Sequence, residues 1–241
     1  MILLEELDTK FGNIKIMRSR RDGSVLYHQE ECFHSLANTE GVSICAYIHV
    51  MYSIVRQSAA QNILMIGCAG GTLATMLNRI GCNVTVVDIN PASFKLAKKY
   101  FQMPKEVECI VGDGWQYLLK TGNRYDAIVV DVFSSDGAVP QQFTTEDFFM
   151  IVKEVLTPCG IVAMNVMVDD DFDMFADRIG LNMEAAKIPA FLFNCPGKTN
   201  QNIIISGGAL EQMQVASHRK PRFDFDKGIT SRVPNKIVVN A

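Results

Sequence analysis

What is scarce in this sequence narrows the field before any motif is read. No apolar run approaches the roughly 18–20 uncharged residues that cross a bilayer, so no membrane-spanning helix is expected. The first residues, Met1-Ile2-Leu3-Leu4-Glu5-Glu6, lack the basic region and apolar stretch of a secretory signal. Seven cysteines (Cys32, Cys45, Cys68, Cys82, Cys109, Cys159 and Cys195) form no C-x-x-C pair. Scattered in this way, they are expected as the reduced thiols of a cytoplasmic protein. The four histidines, His28, His34, His49 and His218, show no pairing at i, i+3 or i+4, so no metal site is expected. The acidic run Asp169-Asp170-Asp171-Phe172-Asp173 reads as the first turn of a solvated helix. Basic charge is in short supply too: 23 Lys and Arg against 26 Asp and Glu leave −3. That balance argues against a protein whose main task is neutralising nucleic-acid phosphates.

What is present is an ordinary globular balance, 48% apolar and 20% charged over 241 residues, enough to bury a core without staples. Three regions differ in texture. Residues 1–57 open with Ile14 and Ile16 two apart and a hairpin signal at Asp22-Gly23, predicting a small antiparallel β element. A linking helix through about Val55 follows, capped by Thr39 or Ser43, with Ile44, Ile48, Met51, Tyr52 and Val55 at helical spacing. Residues 58–208 alternate short apolar runs (63–66, 84–87, 107–111, 127–130, 161–166) with amphipathic helices. That alternation predicts an α/β domain: a mainly parallel sheet with helices on both faces. Asn90-Pro91 marks one helix start, Thr144 with Asp147 a capping box at another, and Pro158 and Gly160 the stop of that second helix. A final hairpin is expected around Pro196-Gly197-Lys198, and residues 209–241 form a weakly patterned tail.

Chemistry concentrates where the first strand runs into Gly67-Cys68-Ala69-Gly70-Gly71 and then a helix. Glycines let the backbone turn sharply and a ligand approach it, and the helix N-terminus offers unpaired N–H groups. Asp88, with Ile89 after it, ends the second strand, where an acid accepts hydrogen bonds from both hydroxyls of a ribose. The spacing is neither G-x-G-x-x-G nor G-K-[ST], which disfavours a dinucleotide or ATP. Asp113 and Gly114 follow the third strand, where a carboxylate can accept from an adenine amino group. Asp131 closes the fourth. Acids or glycine loops thus end four consecutive strands, at the carboxyl edge where open α/β sheets bind ligands.

Together, the glycine loop, Val86-Val87-Asp88-Ile89-Asn90-Pro91, Val111-Gly112-Asp113-Gly114 and Asp131 through Phe143 resemble the spermidine synthase family. The resemblance runs from about Thr9 to Gly207 and is closest to the family's divergent bacterial branch. It implies the Rossmann-like fold of class I S-adenosylmethionine-dependent methyltransferases, a seven-stranded sheet behind a small N-terminal β domain. It further implies a polyamine-biosynthesis enzyme: decarboxylated S-adenosylmethionine as aminopropyl donor, a small-molecule amine acceptor and a homodimer. Asp88 would hold the ribose, Asp113 the adenine, and Asp131 would be the catalytic acid that deprotonates the attacking amine. In this reading Phe133 would lie over the donor or fill core, and Ser134, Asp136 and His49 are candidates for acceptor contacts, His49 being equally a packing residue of its helix beside Tyr47, Val50 and Met51.

The sequence also departs from the family's pattern. Ala69 stands near the place of the acid in the family's Gly-Gly-Gly-Asp-Gly-Gly loop. The tyrosine of a Tyr-His/Gln-Glu-Met stretch falls on Ser43, and an N-terminal Tyr-Gln pair on Phe11-Gly12. The second acid of Asp-Ser-x-Asp-Pro is shifted or lost in Asp131-Val132-Phe133-Ser134-Ser135-Asp136. A diammonium acceptor needs several carboxylates and aromatic faces to replace its hydration, so the donor half of the site reads as retained and the acceptor half as remodelled. Two alternatives stay open: a methyltransferase using S-adenosylmethionine itself, and a non-catalytic dimeric nucleoside-binding or scaffolding protein.

Overall fold

The computed structural model describes residues 1–30, 32–134, 137–169, 173–195, 201–209 and 230–232. Strands β1 (Ile2–Thr9), β2 (Gly12–Arg18), β3 (Val25–Gln29) and β4 (Cys32–Ala37) form an antiparallel sheet in sequential order. Its inward face, Ile14, Ile16 and Tyr27, is wholly buried, as the two-residue period of β2 requires. The main unit runs α1 (Ala46–Gln57), β5 (Asn62–Ile66), α2 (Thr72–Arg79), β6 (Asn83–Asp88), α3 (Pro91–Tyr100), β7 (Glu108–Val111), α4 (Gly114–Lys120), β8 (Tyr125–Val130), α5 (Glu146–Val155), β9 (Leu156–Val168), α6 (Phe175–Ala185), β10 (Ala190–Cys195) and β11 (Gln201–Gly208).

The sheet order is β10-β11-β9-β8-β5-β6-β7, with β7, β6, β5, β8 and β9 parallel and β11 antiparallel to both of its neighbours. A short strand β12 (Thr230–Arg232) adds to the outer edge against Leu192, Phe193 and Asn194. The interior strands are continuous apolar runs because both sheet faces are covered. One face packs Ile63, Met65, Val84 and Val86 beneath Met51, Leu73 and Leu77; the other packs Leu64, Ile66 and Val130 beneath Phe148, Phe149 and Met183. Helix α3 is shared: Phe94 and Ala97 join the first core, while Leu96, with Phe101 just beyond the helix, enters the core of the N-terminal sheet.

Several local expectations shift. Helix α1 starts at Ala46, not after a Thr39 or Ser43 cap; the Ser43 hydroxyl instead accepts from the Cys45 N–H at 3.1 Å, and Ser43 bridges to Ala37. That backbone bridge holds residues 37–45 as a turn and delays the helix. Helix α5 is capped by Thr145, whose Oγ1 accepts from Phe148 N at 3.2 Å, one residue beyond the predicted Thr144. Thr144 is absorbed by a 3-10 turn, Gln141–Thr144, its hydroxyl bonded back to the Gln141 carbonyl. Strand β9 begins at Leu156, before Pro158 and Gly160, and is twice as long as the apolar run suggested. The tail past residue 209 contributes β12, which sequence pattern did not disclose. Asp173 bonds the Phe175 N–H at the start of α6; Asp170 to Phe172, Pro196 to Lys198 and the rest of the tail lie outside the described residues.

Candidate active site

The carboxyl ends of β5, β6, β7 and β8 meet beneath the N-terminal sheet, around a cavity of about 820 Å³. Its floor is the glycine loop. Gly67 has φ +97°, and a Cβ there would collide with the Asp131 carbonyl, so the crossing of two strand ends admits only glycine. Gly70 is close-packed as well: a Cβ would lie 2.8 Å from that of Ser35 and 2.9 Å from the Phe101 ring. The Gly70 N–H donates to Ser35 Oγ at 3.0 Å, so β4 braces the loop from above.

Asp88 sits against this loop as its spacing implied. Its Oδ2 accepts from Cys68 N–H at 2.8 Å and its Oδ1 from Asn90 N–H at 2.7 Å. Burial pushes its carboxyl above the ordinary value, while those N–H bonds hold it down. The Ala69 N–H and the Ser93 side chain bond the same carboxylate, which lines the larger cavity. Gly67, Cys68, Ala69, Ile89, Asp113, Gly114 and Phe133 also line it; Gly70 and Gly71 lie one layer beneath, Gly71 as the N-cap of α2. Asp113 caps α4, accepting from Gln116 N at 2.9 Å, and still faces the cavity. On the roof, Gln29 donates from Nε2 to the Phe11 carbonyl at 2.6 Å, and both residues line the cavity. A glutamine from β3 thus stands against Phe11 on the same roof.

A second cavity of about 330 Å³ adjoins the first. Asp131, Phe133, His34, Cys68 and Ala69 line both, so Asp131 stands at their junction. Burial raises the Asp131 carboxyl to about 6, opposed by a hydrogen bond from Asn165 Nδ2 to Oδ1 at 2.9 Å. Tyr47 of α1 lines the same cavity, close enough for the Asp131 charge to help raise its phenol above its ordinary value, behind the larger effect of burial. A tyrosine therefore stands beside the acid although Ser43 was read in the family position. His34, lowered to about 4 by burial, is neutral at pH 7.

The predicted acceptor contacts divide. Ser134 lines the larger cavity, with its hydroxyl donating to the Ala138 carbonyl at 2.8 Å. His49 is not among the residues lining either cavity; its Nε2 lies 2.7 Å from the Ser43 carbonyl. Asp136 lies outside the described residues. Tyr47, Asn165, Asn202 and the site role of His34 were missed. The one available signal was an asparagine in the middle of an apolar strand, Ala163-Met164-Asn165-Val166, since a buried amide needs a partner.

A parallel sheet closed by an antiparallel strand, with an acid-lined crevice at its switch point, defines a Rossmann-like domain of the methyltransferase type. The chain belongs to the spermine/spermidine synthase family: the model of the spermine/spermidine synthase domain matches residues 44–169, more than half its length. It is 32% identical over 173 residues to a probable polyamine aminopropyl transferase of Bifidobacterium longum, covering 66% of this chain and 37% of that protein. It is 25% identical over 170 residues to an eEF1A lysine and N-terminal methyltransferase homolog of Drosophila pseudoobscura pseudoobscura, covering 66% and 25%. The chain thus spans between a quarter and two fifths of the length of these two relatives. Among solved structures, a probable spermidine synthase from Corynebacterium glutamicum shares the fold, with a TM-score of 0.77 at 20% identity, covering 89% of this chain and 82% of that one.

Proposed function

We propose that this chain transfers an aminopropyl group from decarboxylated S-adenosylmethionine to a polyamine-type amine. The observation that carries the reading is Asp131 at the junction of the two cavities, buried beside Asn165 and Tyr47 and held near the pH at which it can exchange a proton. The adenosyl group occupies the larger cavity, Asp88 on the ribose, Asp113 toward the adenine, the backbone of residues 67–71 beneath, Ile89 and Phe133 alongside. The amine enters the smaller cavity, where Ser134 and Asp136 are the acceptor-side contacts to test and His49 acts through the segment that carries Ser43. Its nitrogen lone pair forms the new N–C bond as the C–S bond breaks and that electron pair returns to sulfur. Asp131 takes the proton the nitrogen sheds. Rate comes from holding the nitrogen in line with the carbon on sulfur and from a base of matched strength. We place the enzyme in the cytoplasm as a homodimer, without metal, nucleic-acid or membrane partners.

Methyl transfer from S-adenosylmethionine is the second reading, favoured by Ala69. With no acid at that loop position, the donor's own carboxylate meets no repulsion there, and one of the relatives above is named as a methyltransferase. Calorimetry with both nucleosides separates the two. Tighter binding of the decarboxylated donor and a gain of about 57 daltons on the amine support aminopropyl transfer; tighter S-adenosylmethionine binding and a gain of about 14 daltons support methylation. Binding without turnover supports a non-catalytic nucleoside-binding protein.

A further inference from the structure

Asn165 is one of the features of the site that the family resemblance did not supply. It lies in the C-terminal part of β9, only 1% exposed, among Ala163, Met164 and Val166, which are fully buried. An amide in that setting costs free energy unless its donors and acceptor are met. They are met in one direction. Asn165 Nδ2 donates to Asp131 Oδ1 at 2.9 Å, and Asn165 Oδ1 accepts from Asn202 Nδ2 at 3.0 Å. Asn202 lies on β11, opposite Met167, diagonal to Asn165 across the antiparallel pair, and both amides line the smaller cavity.

The chemistry of the three groups fixes their orientation. An ionised carboxylate only accepts, so the Asn165 NH2 must face it. The Asn165 oxygen then faces β11 and calls for a donor, which Asn202 supplies. We propose that Asn165, oriented by Asn202, is a positioning residue that ties down Oδ1 of Asp131 and leaves Oδ2 as the oxygen that meets the attacking amine. The proposal rests on the transferase reading for its catalytic half only; the hydrogen-bond relay stands without it. In the transfer step the amine proton goes to Oδ2, while the Asn165 bond keeps the carboxylate plane from turning as its charge is neutralised.

The larger cavity that Asp131 also lines carries Lys10, Glu30, Asp88 and Asp113, whereas the groups that face Asp131 across the smaller cavity are neutral near pH 7. From the α1 side these are the Tyr47 phenol and the Cys45 thiol, both raised by burial first and by the Asp131 charge in addition. From β4 it is His34, held neutral by burial; from the glycine loop and β10, the thiols of Cys68 and Cys195, both raised by burial. Among the described side chains lining the smaller cavity, Asp131 carries the only charge, so its titration reports chiefly on burial and on Asn165.

The test is direct titration of Asp131 by carbon NMR of 13C-aspartate-labelled protein, assigned with Asp131→Asn, in the parent chain, Asn165→Leu and Asn202→Leu. Thermal melts and nucleoside calorimetry on each variant verify folding. Loss of the Asn165 donor is expected to move the Asp131 midpoint upward by about 1 pH unit, the value of a hydrogen bond to a charged group. Loss of Asn202 moves it in the same direction by less, and Asn202→Gln restores it in part. The acid limb of log kcat/KM should follow each midpoint. Unchanged midpoints in folded Asn165→Leu overturn the proposal. Shifted midpoints with no turnover in the parent leave the relay standing and reject the transferase reading instead. Shifted midpoints with turnover whose acid limb stays put overturn the catalytic assignment of Asp131 Oδ2. Should Asn165→Leu fail to fold, Asn202→Leu carries the same comparison, an unchanged midpoint there being the overturning result.

Discussion

At the scale of single residues, Asp131 is held where it is useful and costly at once. Its carboxyl is raised from 3.8 to about 6 by burial. A group raised in the folded state favours folding most below its unfolded value, and that advantage is lost as pH rises through the folded one. Between pH 4 and pH 6 the chain therefore gives up stability on the order of 2 kcal/mol as Asp131 ionises. Asp131→Asn should raise the stability of the chain at pH 7 by a comparable amount and change it little at pH 4, as read from urea midpoints. The same substitution should lower transfer by about 10²- to 10⁴-fold, the usual weight of a positioned base, with nucleoside affinity kept within a few-fold. For the parent chain, log kcat/KM should fall about one unit per pH unit below pH 6, because a protonated carboxyl no longer accepts from the amine.

At the scale of elements, strand ends do the work and helix caps hold them in place. The turn from β5 into α2 can cross the end of β8 only with glycine at residue 67, so Gly67→Ala meets the Asp131 carbonyl and a disfavoured φ together. Nucleoside binding should be lost and stability reduced by roughly 2–3 kcal/mol, measured by calorimetry and denaturant unfolding. Thr145→Ala is the contrasting case. It removes the cap of α5 at a cost of about 1 kcal/mol; Thr145 lines neither cavity, though its hydroxyl donates to the carbonyl of Gln142, which lines the larger one, so nucleoside affinity should fall far less than in Gly67→Ala. The predicted cap at Thr144 missed by one residue, since Ser, Thr and Asp neighbours compete for one N-terminus and only the preceding turn decides among them. The start of α1 was missed for a related reason: the Ala37 to Ser43 bridge is a backbone contact that side-chain pattern does not encode.

At the scale of the whole molecule, the N-terminal sheet is part of the site rather than an appendage. It is fastened to the main unit by Ser35 Oγ on the Gly70 N–H, by the Lys99 to Glu5 pair at 2.6 Å, by the Tyr100 hydroxyl on Glu5 at 2.7 Å, and by Leu96 and Phe101 in its core. The ion pair is exposed at Lys99 and adds little; the shared core and the buried Ser35 contact carry the docking. Ser35→Ala leaves the Gly70 N–H unpartnered in a buried place, worth about 1–3 kcal/mol. The expected outcome is a three- to tenfold loss of nucleoside affinity with the fold intact, checked by calorimetry alongside circular dichroism.

What the chain disclosed on its own is what lies close along it: the alternation of strands and helices, the glycine loop, and Asp88, Asp113 and Asp131 each at a strand's end. Those features follow from periodicity and from short covalent spacings, which a linear reading preserves. Tertiary structure alone decided that Ser35 meets Gly70, that Tyr47 stands beside Asp131, and that Asn165 and Asn202 lock its carboxylate. These partners come from β4, α1, β9 and β11, separated by tens of residues and joined only when the sheets pair and pack. The half of the site proposed for the adenosyl group was legible because its glycine loop and strand-end acids lie along consecutive βα units, whereas the half proposed for the acceptor is assembled from segments whose meeting is a property of the fold.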